Sequence, residues 1–128
     1  DVCSSDLKEA VSKYLEKMGF EILHNPNRYG VDLLVLNNHK LIGVVEVEVR
    51  QWSPNCPFPT IHVPSRKTKF FNGNSLFFAL TKDMKSAYWI EAKDILEHPM
   101  KEVRNVKVAV GELFYDVPTT EFNFVELI

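Results

Sequence analysis

The sequence predicts a single α/β domain, and three observations support this prediction. Its 128 residues are 45% hydrophobic and 25% charged, which suits one domain with a substantial core. An amphipathic helical pattern opens the chain, and several short apolar runs rich in β-branched residues follow it. The chain also shows no internal repeat and no low-complexity tract that would divide it. We therefore expect one continuous core.

The order of elements is a helix followed mostly by short strands. Apolar residues at helical spacing, ended by Gly19, predict the first helix. An Asn-rich connection between two β-branched runs predicts an antiparallel hairpin, and Ser65 suits the N-cap of a second, two-turn helix. The predicted elements are helix 8–18, strand 20–24, hairpin strands 30–36 and 41–50, an extended segment 60–63, helix 66–71, strands 75–81 and 87–91, helix 92–97, and two or three strands within 103–128.

Composition and the chain ends limit the partners and the location. The formal net charge is -2, so a global basic excess for nucleic-acid binding is absent and any such surface must be local. No apolar run approaches the roughly 20 residues of a membrane span. With no signal-peptide pattern either, we expect a cytoplasmic protein without a membrane partner. Residues 1–7 match one translation frame of a common sequencing adapter, so we expect an artefact there and a single domain over 8–128.

Three acidic residues on the predicted hairpin are its most informative feature. Side chains alternate between faces along a strand, so Glu46 and Glu48 share one face of the second hairpin strand. A three-residue loop after Asn37 would pair Asn37 with Leu41 and place Asp32 directly opposite Glu46. We therefore expect an odd-length connection or a bulge near Asn38 to Lys40. A solvated strand face is the commoner setting for Glu-x-Glu, but the remaining residues on both faces are apolar, which indicates that both faces are covered.

Clustered acids at the rim of a covered face predict a divalent-cation site. Two like charges about 4 Å apart repel by roughly 4 kcal/mol at an effective dielectric of 20, and a bound cation relieves this repulsion. Carboxylate oxygens favour Mg²⁺ or Mn²⁺, and the histidines show no zinc-ligand spacing. Asp32 and Glu46 would be ligands, with the Val47 carbonyl as a third. Glu48 would orient or deprotonate an attacking water.

The element order, with acids on the second and third strands, resembles the core of the PD-(D/E)xK nuclease superfamily. The resemblance covers roughly residues 8–91, and its motif is short and degenerate. Asp32 stands at the family's strand-two aspartate, Glu46 and Val47 at the first two positions of (D/E)-x-K, and Glu48 at the lysine position, where the sequence departs from the family. The resemblance implies a restriction-endonuclease-like core of helix, three-strand meander, helix and two strands, here with extra C-terminal strands. Some members with Glu-x-Glu are active, whereas others that lack the lysine cleave nothing.

Basic residues in the second predicted helix are candidates to replace the missing lysine. On a helical wheel, Lys67 lies on the aromatic side that should face the sheet, whereas Lys69 points away. The resemblance implies that this helix can supply the catalytic lysine, which would be Lys67. Arg66, Lys69 and Arg50 are then predicted to contact nucleic acid. A solvated basic patch is the equally weighted alternative, and Arg50 could instead pair with Glu48.

The sequence therefore predicts a divalent-metal-dependent nuclease that hydrolyses phosphodiester bonds, with DNA as the expected substrate. One alternative is a catalytically inactive domain of the same fold that binds nucleic acid or a protein partner. Another is an α/β domain whose acids form structural salt bridges. Carboxylates that converge at an open cleft would favour metal binding, and saturation by arginine pairs would favour structural salt bridges. A homodimer is left open.

Overall fold

The computed structural model describes residues 4–26, 32–65, 74–105 and 108–127, with side chains described outside 4–5 and 102–112. A six-stranded sheet carries one helix on one face, and a second sheet and a short helix on the other. The elements are α1 (Ser4–Lys17), β1 (Glu21–His24), β2 (Leu33–Asn37), β3 (Lys40–Val49), β4 (Thr60–Pro64), β5 (Ser75–Leu80), β6 (Ser86–Glu91), α2 (Ala92–Ile95), β7 (Met100–Asn105), β8 (Val108–Pro118) and β9 (Asn123–Glu126). Within these described ranges, no helix has the length and apolar character that a membrane span requires.

The larger sheet has the order β1-β2-β3-β5-β6-β9 and is antiparallel except between β3 and β5. The smaller sheet has the order β4-β8-β7. The predicted α/β class is confirmed, with its three-strand meander, its two following strands and its extra C-terminal strands. A parallel pair requires a long crossover connection. The helix predicted over 66–71 falls within that connection and lies outside the described residues.

Helix α1 begins earlier than the sequence predicts. It starts at Ser4, and Leu7 packs at the edge of the core. The buried residues Val11 and Leu15 are four apart, so they lie on the same helix face and anchor it to the sheet. The prediction that residues 1–7 arose from a sequencing adapter concerns their origin, and it stays a prediction.

The hairpin turn between β2 and β3 differs from the predicted three-residue loop. Asn38 and His39 form a two-residue turn with φ values of 52° and 64°. Asn37 therefore pairs with Lys40, and the expected pairing with Leu41 is wrong. A turn with two left-handed residues matches the natural twist of paired strands, and asparagine tolerates this backbone conformation well.

A bulge corrects the register that the shorter turn would otherwise impose. The pairing shifts by one residue between Val35 and Leu36, and Leu33 pairs with Val45. Such an insertion places one unpaired residue in one strand and changes which residues face each other beyond it. As a result, Asp32, which directly precedes β2, lies beside Glu46, as predicted.

Alternation along β3 divides its side chains between two cores. The core beneath α1 contains Val11, Leu15, Leu33, Val35, Val45, Val47, Phe78 and Leu80. The core on the opposite face contains Ile61, Val63, Phe77, Ala79, Tyr88, Ile90, Ile95, Val117 and Phe122. Glu46 and Glu48 alternate with the valines of the first core, and their neighbours on β5 are Phe77 and Ala79 of the second. The acids therefore lie on the face that carries the smaller sheet.

This acidic face is less covered at its hairpin end than the sequence predicts. Leu34 and Val44 are half-buried, and Ile42 is 37% exposed. The elements of the second layer pack on residues of β5 and β6 and leave the hairpin tip uncovered. The acids lie toward the other end of these strands, where Glu46 is buried and Asp32 and Glu48 are partly exposed.

Candidate active site

Asp32 and Glu46 are joined by reciprocal hydrogen bonds that involve the backbone. The Asp32 N–H donates to Glu46 Oε2 at 2.9 Å, and the Val47 N–H donates to Asp32 Oδ2 at 2.8 Å. Each carboxylate accepts an amide from the strand that carries the other acid. The two acids are therefore fixed as neighbours across the antiparallel pair, as the alternation of side chains predicts.

Glu46 is buried, with only 2% of its surface exposed. Burial of a carboxylate costs several kcal/mol unless hydrogen bonds and opposite charges compensate for it. The adjacent strand positions are filled by valines, which a β-strand accommodates without this cost. A buried acid at this position is therefore more consistent with a functional requirement than with a contribution to stability.

Glu48 is paired with Arg50, two residues further along the chain. Arg50 Nη2 lies 3.0 Å from Glu48 Oε1 and also donates to the carbonyl oxygen of His62 on β4. The side chains of Glu48 and Arg50 are 23% and 18% exposed. Glu48 Oε2 is buried and has no hydrogen-bond partner within the described part of the chain. One oxygen of Glu48 is thus held by Arg50, and the other is buried and unpaired among the described residues.

Lys8 lies beside the acidic residues and is a candidate active-site residue that the sequence did not single out. Its Nζ lies 3.8 Å from Asp32 Oδ1, and the two side chains are 25% and 22% exposed. Lys8 precedes the buried Val11 by three residues and the buried Ser12 by four, so helical periodicity alone puts it on the sheet-facing side of α1. Glu9 faces solvent instead and lies 4.0 Å from Lys13.

The donor atoms suit a hard divalent cation, because Mg²⁺ and Mn²⁺ prefer carboxylate and carbonyl oxygens. The unpartnered Glu48 Oε2 is the kind of buried acceptor that such a site would satisfy. The expected convergence of three acids is nevertheless not observed: among the described side chains, no three acidic, histidine or cysteine groups are gathered around one point. The structure brings Asp32 and Glu46 together and pairs Glu48 with Arg50.

The predicted cations Arg66, Lys67 and Lys69 lie outside the described residues. Their assigned roles stay predictions. Arg50 is described, and it makes the alternative contact that the sequence allowed, the pair with Glu48.

The fold is restriction-endonuclease-like: a helix packs on a mixed sheet whose first three strands form a meander, with Asp32 directly before the second strand and Glu46 and Glu48 on the third. The chain is similar to the solved structure of Hjc, a Holliday junction resolvase from the archaeal hyperthermophile Archaeoglobus fulgidus. The TM-score is 0.55 and the identity 9%, over 95% of this chain and 89% of that chain. An identity this low establishes the fold alone. No family model matches the chain, and no curated protein matches its sequence.

Proposed function

We propose that this protein is a divalent-metal-dependent nuclease that hydrolyses phosphodiester bonds of DNA. The observation that supports the proposal best is the hydrogen-bonded pair of Asp32 and Glu46, in which Glu46 is buried and Asp32 is partly exposed. Fold similarity to a resolvase would not define an activity by itself. The pair adds independent chemical support, because metal-assisted phosphodiester hydrolysis needs carboxylates held close together at an accessible edge.

In the proposed reaction, Asp32 and Glu46 would hold Mg²⁺ or Mn²⁺, with the Val47 carbonyl as a third ligand. Such an ion, when bound, polarises a phosphoryl oxygen and lowers the pKa of a coordinated water. Glu48 would accept the proton of the attacking water, and its Oε2, which is buried and has no partner among the described residues, is the oxygen left for this role. Arg50 keeps the other oxygen of Glu48 in position. We therefore assign Arg50 a positioning role in place of the predicted contact with nucleic acid.

The cations that contact the substrate are proposed from the sequence. Lys67 remains the sequence-based candidate for the lysine that is absent from β3, and Arg66 and Lys69 are proposed to contact phosphates around it. Phosphate contacts of this kind raise affinity without selecting a base sequence. They should therefore make binding depend strongly on salt.

A second candidate function is a catalytically inactive domain of the same fold that binds nucleic acid or a protein partner. The observation that favours it is the pairing of Glu48 with Arg50 at the position where the related nucleases carry lysine. An ion pair here occupies one of the two oxygens that a general base would use. Binding without cleavage is the property that would identify this function.

Cleavage and binding assays on the same substrates separate these functions. The substrates are single-stranded DNA, duplex DNA, a four-way DNA junction and RNA, each with Mg²⁺, with Mn²⁺ and with a chelator. We expect metal-dependent cleavage of DNA that Asp32→Asn and Glu46→Gln abolish. Glu91→Gln is the control, because it removes an equal charge from an exposed acid that pairs with Lys93.

If the protein binds DNA but does not cleave it with either metal ion, the catalytically inactive binding domain becomes the supported function. If the protein neither binds nor cleaves any of these substrates, the structural salt-bridge interpretation is favoured instead. Cleavage that persists in Asp32→Asn and Glu46→Gln would show that the active site lies elsewhere.

A further inference from the structure

We propose that Lys8 is the substrate-binding cation of the acidic site, an inference that rests on the proposed nuclease function. Position 48 on β3 carries glutamate, so this strand does not supply the lysine of the related motif. Lys8 Nζ lies 3.8 Å from Asp32 Oδ1 and reaches the acids from α1, an element outside the motif. Among the described lysines, Lys8 is the one whose ammonium group lies beside Asp32.

The setting of Lys8 separates it from an ordinary surface lysine. Its side chain is 25% exposed, whereas that of Lys13, on the same helix, is 67% exposed and lies 4.0 Å from Glu9. Partly exposed ion pairs add little to stability, so the contact between Lys8 and Asp32 contributes little to the free energy of unfolding. What it does provide is a positive charge beside a site carboxylate.

The chemistry of the two oxygens of Asp32 indicates how Lys8 would act. The Val47 N–H holds Oδ2, while Oδ1 faces the ammonium group of Lys8. A divalent ion bound by Asp32 would neutralise the charge that Lys8 neutralises now. The ammonium group, on a flexible stem, could then bind a phosphate oxygen of the substrate, and lysine serves well as a point charge for phosphate. Arg50 is already engaged by Glu48 and the His62 carbonyl.

The first test compares three variants in the full chain by steady-state cleavage of DNA. Lys8→Gln should lower kcat/KM by about tenfold or more, the loss expected for one charged phosphate contact. Lys8→Arg should recover part of the activity, because it restores the charge. Lys13→Gln is the matched control on the same helix, and it should cleave like the parent protein.

The second test measures Mn²⁺ binding by calorimetry and needs no cleavage activity. Lys8→Gln should bind Mn²⁺ about threefold or more tightly, because the competing positive charge beside Asp32 is gone. Lys13→Gln should leave the Mn²⁺ affinity unchanged. A purely structural role of Lys8 would not produce tighter metal binding together with weaker cleavage.

Three results would overturn the proposal. They are parent-like cleavage by Lys8→Gln, an unchanged Mn²⁺ affinity in Lys8→Gln, or loss of cleavage in Lys67→Ala alone, which would assign the cation to the helix predicted from the sequence. If the parent protein and Asp32→Asn are equally inactive, the nuclease function itself fails. The Mn²⁺ titration then still decides whether Lys8 belongs to the acidic site.

Discussion

Divalent cations should stabilise this protein through Asp32, and Asp32→Asn should remove that stabilisation. The substitution removes the negative charge but keeps a side-chain oxygen that can accept the hydrogen bond of the Val47 N–H. The contact that fixes the residue against β3 is therefore retained. If divalent cations no longer stabilise this variant, the cause is therefore the missing charge and not a disrupted fold.

The size of the effect follows from ligand linkage. At an ion concentration ten times the dissociation constant, binding to the folded state raises the unfolding free energy by about 1.4 kcal/mol. A chain of 128 residues has an unfolding entropy of about 0.27 kcal/mol per kelvin near 60 °C. The melting temperature of the parent protein should therefore rise by about 5 °C.

Without metal, Asp32→Asn should change stability little. The variant loses the ion pair with Lys8, which is partly exposed and contributes at most about 1 kcal/mol. It also loses the repulsion between Asp32 and Glu46, which acts in the opposite direction. Because the two effects offset each other, the melting temperatures of the two apo proteins should differ by less than the shift that metal produces.

Scanning calorimetry checks this prediction. Parent, Asp32→Asn and Glu91→Gln are heated with a chelator and with increasing Mg²⁺ or Mn²⁺, at constant ionic strength. The parent and Glu91→Gln should respond alike, because Glu91 is an exposed acid paired with Lys93. An equal rise in all three proteins would show non-specific screening, and no rise in the parent would refute the metal site.

Three further predictions concern the surroundings of the site. Arg50→Met should leave Glu48 unpaired and lower the unfolding free energy by about 1 to 3 kcal/mol, which is below the roughly 3 to 5 kcal/mol of fully buried pairs because both groups are partly exposed; urea denaturation measures this, and an unchanged midpoint would show that the ion pair does not hold Glu48 in place. Gly43→Ala should also destabilise, by about 1 to 3 kcal/mol, since its Cβ would lie 2.7 Å from the Asn74 backbone oxygen; parent-like urea midpoints would contradict this. The hydrogen bond from Lys101 lowers the pKa of Asp116, so the stability that it contributes is complete above about pH 3.9 and is lost as the pH falls through the folded-state value. Urea midpoints between pH 2 and 6 should therefore drop less steeply in Lys101→Met than in the parent.

Local patterns were sufficient to predict the helix, the meander and the pairing of the first two acids. Period-two alternation assigns strand residues to faces, and it needs no information from distant parts of the chain. The predicted three-residue loop was one residue too long, but a bulge near the turn was the stated alternative, and the observed bulge restores the register that brings Asp32 to Glu46. The prediction that Asp32 neighbours Glu46 is therefore correct because the register must keep the valines of β3 buried.

Contacts between distant segments were not predictable in the same way. The smaller sheet pairs Ile61 with Val117, more than fifty positions apart, and no local periodicity specifies such a partner. The ion pair between Lys8 and Asp32 is also long-range, although the helical spacing of Lys8 offered a signal. Arg50 was the easier case, because a residue two positions after Glu48 on an extended strand lies on the same face.

If the protein is the proposed nuclease, the charges of its site give a physical reason why glutamate at position 48 would be compatible with activity. The three acids contribute three negative charges, and Lys8 and Arg50 contribute two positive ones, which leaves one negative charge. An aspartate, a glutamate and a lysine, the set that the related motif supplies, leave the same net charge. A divalent ion would then make the site positive by one, which suits a phosphodiester anion. Removal of Lys8 should therefore strengthen metal binding while it weakens substrate binding, because the metal ion and the phosphodiester carry opposite charges.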